Sequence, residues 1–199
     1  MNAEIRQKNR PGIAIFSICL IGMAACINTA GGQIALLLRL PVYLDSIGTI
    51  LTGALLGPLC GMLPNLLSGL ILGMTTDIYS FYFAPVGMLV GFMSGLVLHG
   101  RKERSGKWYS LLLPALLVTV PGTLVSSLIC AALFGGVTSS GSTILVQLLA
   151  KTPLGMTASI FLVQIATDYL DRFISLFAVV YLLNVLPADM KRRFSGENR

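Results

Sequence analysis

Four aspartates are the residues of this chain best suited to do chemistry: Asp45, Asp77, Asp168 and Asp171. Three bases, Arg39, Lys151 and Arg172, accompany them, with aromatic Tyr43, Tyr79, Tyr82 and Tyr169. Carboxylate, guanidinium and phenol groups can together hydrogen-bond to, pair with and stack on a small polar molecule. Catalysis needs more than this. The single histidine, His99, is far in sequence from the acids, so no Ser-His or Cys-His pair stands beside them. Neither a GxxxxGK[ST] loop nor an HExxH helix occurs. Asp168 and Asp171 are spaced i,i+3, but no metal-ligand set surrounds them. The expected chemistry is therefore binding, with no enzyme activity, cofactor or metal. Asp168 and Arg172 are also spaced i,i+4, so they can pair on one helix face.

The elements that must carry these residues are apolar. Charged residues make up 11% of the chain and hydrophobic ones 55%, with a mean hydropathy of +0.83. Soluble domains carry about 25% charged residues. Several apolar runs approach the roughly 20 residues needed to cross a hydrocarbon core about 30 Å thick. The fold class that follows is an all-α polytopic membrane protein, a single integral domain over residues 1–199, embedded in a lipid bilayer.

The net charge is +6, and its placement is informative. Basic residues cluster in the N-terminal tail (Arg6, Lys8, Arg10), in the loop Arg101, Lys102, Arg104, Lys107, and at the C-terminal end (Lys191, Arg192, Arg193, Arg199). Clusters flanking apolar runs mark cytoplasmic segments. A nucleic-acid interface would instead gather its bases on one folded face, so no nucleic-acid partner is expected.

The stretch "GALLGPLCGMLPNLLSG", residues 53–69, decides the number of crossings. One kinked helix over 47–74 would put the basic 100–107 loop outside. Two short helices with a turn between them put it inside, in agreement with its charges. Gly57-Pro58 stops a helix, and Pro64 suits the first turn of the next. The expected helices are 12–30, 46–57, 63–75, 81–99, 108–134 and 166–187: six crossings, N- and C-termini cytoplasmic, helices 2 and 3 short and interrupted. At about 1.5 Å per residue, 46–57 spans only ~18 Å. Such pieces persist where neighbours bury their ends or they line a cavity, and in transporters they point to a binding site. Residues 135–165 are placed mainly outside, partly as a short helix on the outer face. By the same parity Asp45, Asp77, Asp168, Asp171, Arg39, Lys151 and Arg172 fall at outer helix ends.

Small residues form two rows. Gly87, Gly91 and Gly95, continued by His99, repeat every four residues; Gly22, Cys26 and Ala30 form a weaker row. Each lets a helix approach closely, either within the chain or as a docking face for another membrane protein. Trp108 fits an aromatic belt. Cys19, Cys26, Cys60 and Cys130 include no CxxC and read as small core residues. A basic tail, an apolar stretch and "MAAC" ending at Cys26 have the outline of a bacterial lipoprotein signal. Met23 stands where Leu is expected, and further spans follow, so the first helix is read as retained.

The stretch "YLDSIGTILTGALLGPLCGMLPNLLSG" resembles the substrate-binding S components of energy-coupling factor transporters. So does the last helix, "DYLDRFISLFAVVYLL", with Asp171-Arg172 at its opening. Gly22, Cys26 and Ala30 stand where that family often carries an Ala-x-x-x-Ala row. The resemblance implies a subunit of the bacterial cell (inner) membrane that binds a vitamin or similar micronutrient at its outer face. It implies partners too: a transmembrane coupling protein and two cytoplasmic ATPases. Arg39, Tyr43, Asp45, Asp77, Tyr79 and Asp171 are the expected substrate contacts, between the 33–45 loop, the 75–82 loop and the start of the last helix. Mixed acids and bases there suit a zwitterionic or mixed-polarity ligand. The competing classes are a carrier that works alone and a membrane sensor or scaffold.

Overall fold

The computed structural model describes residues 11–99, 108–153 and 155–185. The N-terminal tail, the 100–107 loop and the C-terminal end, which carry the charge parity, lie outside the described residues. Among the described residues seven helices follow in order: α1 (Pro11–Leu37), α2 (Ile47–Leu56), α3 (Pro58–Thr75), α4 (Ile78–Leu98), α5 (Leu112–Phe134), α6 (Ser142–Leu149) and α7 (Gly155–Val185). A 3-10 turn, Trp108–Leu111, leads into α5. Among the described residues there is no strand. Four helices, α1, α3, α4 and α5, are long and apolar enough to cross a membrane, as a multi-pass membrane protein requires. Helices satisfy their backbone groups internally, which apolar surroundings demand. Large apolar side chains such as Ile18, Met23, Leu59, Met74 and Leu128 point outward, the arrangement lipid favours.

The 47–75 stretch is two helices, and the turn between them is a single residue. Gly57 has φ 90 and ψ 178, a conformation glycine adopts without steric cost. Pro58 takes the first helical position of α3, where its missing N–H is harmless. A Cβ added to Gly61 would come within 2.7 Å of the Gly53 Cα. These residues lie four before and four after Gly57, so α3 runs back along α2. Two expectations change here. The turn is narrower than residues 57–64, and Pro64 lies inside α3.

The shortness of α2 has a structural cause. After Leu37 the chain does not enter α2 at the end of the bundle. Residues 38–46 first run back along α1, so that the Leu44 carbonyl lies against Gly31. Helix α2 starts deeper, where Gly48 abuts the Ala24 backbone. Its ten residues make about 15 Å of rise, roughly half a bilayer; the loop covers the rest. Gly48 to Leu55 are all buried. Buried Asn28 of α1 takes over the capping of α2: its Oδ1 accepts from Gly48 N at 2.8 Å, and its Nδ2 donates to Thr49 Oγ1 at 2.7 Å.

Helices α3 and α4 meet along a ladder of small residues. Gly95 sits against Pro58, Gly91 against the Gly61 carbonyl, Gly87 against Asn65, Gly69 against Ala84 and Gly73 against Phe81. The Gly87, Gly91, Gly95 row is thus filled by α3 of the same chain. The other row differs: Gly22, Cys26 and Ala30 are exposed, and a Cβ at Gly22 would meet nothing within 4 Å.

Residues 155–165, expected outside the last crossing, belong to α7. Their apolar side chains explain it: Ile160 and Val163 pack with Cys130 of α5 and Val146 of α6 in a small core of their own. The larger core surrounds α2, with Ile50, Val90, Val118, Leu176 and Val179 at its centre.

Candidate functional site

At the start of α2 the chain gathers Asp45, Asp171 and Arg172 at half the depth of the bundle. Gly87 is halfway along α4; Asn65 lies against it and donates from Nδ2 to the Asp45 carbonyl at 3.3 Å. Arg172 of α7 arrives at the same level. It pairs with Asp171, donates to the Ser46 hydroxyl, and lies 4.0 Å from Asp45 Oδ1. Ser46 in turn donates to Asp45 Oδ1 at 3.0 Å. Arg172 is 6% exposed and Asp171 fully buried. Isolated charges at this depth are costly and persist where they are paired.

Asp171 also holds the loop. Its Oδ1 accepts from Leu44 N at 2.8 Å. Leu44 has φ 54, a left-handed conformation that a branched residue keeps only where surroundings enforce it. The carboxylate of α7 supplies that enforcement. On the same helix Asp168 accepts from Thr123 at 2.9 Å and from Ser126 at 3.2 Å. Gln164, one turn away, accepts from Ser126 at 3.0 Å and Ser127 at 2.8 Å. A Ser/Thr stripe on α5 thus faces an acid and an amide on α7.

Two joined cavities open onto this cluster. The outer one encloses about 630 Å³, its open mouth included. Its walls come from α1, the 38–46 loop, α3, the start of α4 and residues 138–140. The inner one, about 410 Å³, is bounded by Phe83, Gly87, Ser126, Gln164, Asp168 and Arg172 among others. Tyr43, Asp45, Asn65 and Phe83 line both. Tyr43 hydrogen-bonds to Ser140 and Ser142, which ties the loop to the start of α6 and the residues just before it.

Of the six expected contacts, Tyr43, Asp45, Asp77 and Tyr79 line the outer cavity. Asp77 accepts from the Ser80 hydroxyl at 2.9 Å, and the Tyr79 ring packs edge-on to Phe134 at 4.8 Å. Arg39 is exposed and is absent from both walls. Asp171 sits behind the cavity as the partner of Arg172 and Leu44. Of the other tyrosines, Tyr82 packs on Phe134 at 5.4 Å, and the Tyr169 hydroxyl reaches the Leu112 carbonyl at 3.4 Å, away from the cleft. Asp168 and Arg172 are not at a helix end, and the ion pairs of Arg172 go to Asp171 and Asp45. The early start of α7 moves both residues to mid-helix. Asn65, Gln164 and Ser126 were missed in the sequence; an amide inside an apolar run was the available signal.

Comparison with protein-family models, with curated proteins and with solved structures returns no match.

Proposed function

We propose that this chain is the substrate-binding membrane subunit of an energy-coupling-factor-type importer, taking up a vitamin or related small water-soluble molecule. The observation that carries the reading is the pair of joined cavities ending on a buried charge cluster at mid-depth. A volume of about 630 Å³ for the outer one falls in the range of roughly 300–1,000 Å³ typical of small-molecule sites. The walls combine apolar and aromatic side chains with fixed acids, amides and hydroxyls, which can orient a polar ligand. Buried acids and bases at membrane depth are rare, and substrate pathways are among the features they mark. Six crossings in a bacterial inner membrane, with both termini cytoplasmic and the cleft outside, complete the proposal. Energy would come from a transmembrane coupling protein and two ATPases, and the exposed Gly22, Cys26, Ala30 row offers a close-packing face for the former.

A second reading, a carrier that works alone, draws on the same mid-depth cluster beside the interrupted α2–α3 pair, a pattern found in such carriers. Uptake into proteoliposomes separates the two. The chain reconstituted with coupling protein and ATPases should import its co-purified ligand only when ATP is supplied. Import by the chain alone would replace the importer subunit with the carrier. Mass spectrometry of the purified protein should reveal a bound small molecule; a clean spectrum from several preparations would turn the reading toward a sensor or scaffold.

A further inference from the structure

The chain as a whole is basic, yet the cavity walls are not. The described bases number three: Arg39, Lys151 and Arg172. The first two are exposed on the surface and line neither cavity. The walls carry Asp77, Asp45 and Asp168, with Arg172 as the opposing charge. Arg172 is already paired with Asp171, which sits behind it. Acidic side chains on the walls thus outnumber basic ones, and Asp45 and Asp168 lie at a depth where water is scarce. An unbalanced charge there is unfavourable and is relieved by a proton or by a bound counter-charge.

The hydrogen-bond inventory makes a second, independent point. Asp168 is 6% exposed and Gln164 is 5% exposed, and both line the inner cavity. Asp168 receives its two hydroxyl donors on Oδ2; among the described residues its Oδ1 receives none. Ser126 has one hydroxyl proton for three acceptors within reach, the Thr123 carbonyl at 3.2 Å, Gln164 Oε1 and Asp168 Oδ2. Around Ser126 and Asp168, then, acceptors outnumber donors. Among the described residues Gln164 Nε2 donates to nothing, and the bonds of Arg172 leave from Nη1, so Gln164 and the rest of the guanidinium can each meet an acceptor on a ligand. Phe83 and Tyr43 add aromatic surface to the same wall, which favours a cation. Among the described residues no three His, Cys, Asp or Glu side chains converge to hold a metal ion.

We infer that the molecule bound in these cavities is a small organic cation with N–H donors, a protonated amine or a cationic nitrogen heterocycle, seated with its charge against Asp168 and Asp45. This inference rests on the reading of the cleft as a substrate site. It narrows the mixed-polarity ligand expected from the sequence to one sign of charge. Asp168 and the Ser126–Gln164 pair supply recognition of N–H groups, and Asp45, half-exposed between the two cavities, supplies charge along the way in.

The test uses three ring compounds of one size and different charge: benzamidinium, neutral benzamide and benzoate. Each is offered at millimolar concentration to the full chain in lipid nanodiscs, and binding is measured by equilibrium dialysis. Benzamidinium should be retained at least tenfold better than benzoate, with benzamide between. Asp168→Asn should weaken benzamidinium about tenfold to a hundredfold, as for loss of a hydrogen bond to a charged group. If Asp168→Asn does not fold, Asp45→Asn, at the more exposed position, should still lower retention several-fold. Equal or better binding of benzoate overturns the inference, as does unchanged benzamidinium affinity in the Asp variants. Should no probe bind while an anionic or neutral molecule co-purifies, the charge assignment fails and the cleft survives as a substrate site. Should no probe bind and nothing co-purify, the reading of the cleft falls, and this inference with it.

Discussion

The two ends of the bundle are built on opposite principles. Around Gly57 the helices touch backbone to backbone. Gly53, Gly61, Gly91, Gly95 and Pro58 leave no room for a single added carbon. At the other end the chain runs as loop over residues 38–46, and the helices part around two cavities lined by acids, amides and hydroxyls. One end is held by close packing, which tolerates little change. The other is held by directional bonds to a few charged groups, so its shape depends on whether those groups are satisfied. The Gly57 end acts as a fixed base, and the proposed recognition site lies where the helices separate.

The largest expected effect tests the charged end. Arg172→Met leaves Asp171 and Asp45 without their counter-ion and should destabilise the fold by about 3–5 kcal/mol, the usual cost of breaking a buried pair. Thermal unfolding in detergent measures it. Adding Asp171→Asn to the same protein removes one orphaned charge and should recover part of the loss. A single mutant as stable as the parent would mean that packing, not charge, holds the cleft end.

Next comes the base. Gly91→Leu forces a side chain into the Gly61 carbonyl and should cost about 1–3 kcal/mol or more by overpacking. Gly22→Leu, on the exposed row, should change stability by less than about 0.5 kcal/mol. Similar melting shifts for the two variants would erase the difference between buried and exposed glycine rows.

Asn28→Ala probes the junction between the two ends. It removes the acceptor for Gly48 N and the donor to Thr49 Oγ1, and should destabilise by about 1–3 kcal/mol as buried groups lose their partners. Hydrogen exchange should rise first in the opening turn of α2. Exchange that rises evenly along α2 instead would mean that Asn28 does not cap the helix locally.

The smallest effect concerns orientation alone. Leu59→Cys, exposed beside the Gly57 turn, in a background with the native cysteines replaced, should leave stability unchanged. It should react only with thiol reagents that cross the membrane. Labelling by an impermeant reagent from outside would turn the bundle over and put the cleft on the cytoplasmic side.

Some of this was legible in the residues themselves. Low charge and long apolar runs dictate helices in a lipid-like environment, because only intrasegment hydrogen bonds satisfy the backbone there. Gly57-Pro58 dictates a break, since one residue supplies the unusual φ and the next has no N–H to lose. The spacing of Gly87, Gly91 and Gly95 dictates one close helix contact. Tyr43, Asp45, Asp77 and Tyr79 follow from their places near helix ends and line the outer cavity.

Other features were decided only by the tertiary structure. Spacing cannot say which helix fills a glycine row; the complementary Pro58, Gly61, Asn65 stripe of α3 does. Nothing local tells that 38–46 folds back along α1, because the bond that fixes it, Leu44 N to Asp171, links positions 127 residues apart. The same limit hid the depth of Asp168 and Arg172. Their position depends on where α7 begins, and Ile160 and Val163 set that start by packing against α5 and α6. Charge and hydropathy act locally and can be read along the chain, whereas the pairing of buried polar groups depends on which distant segments the packing brings together.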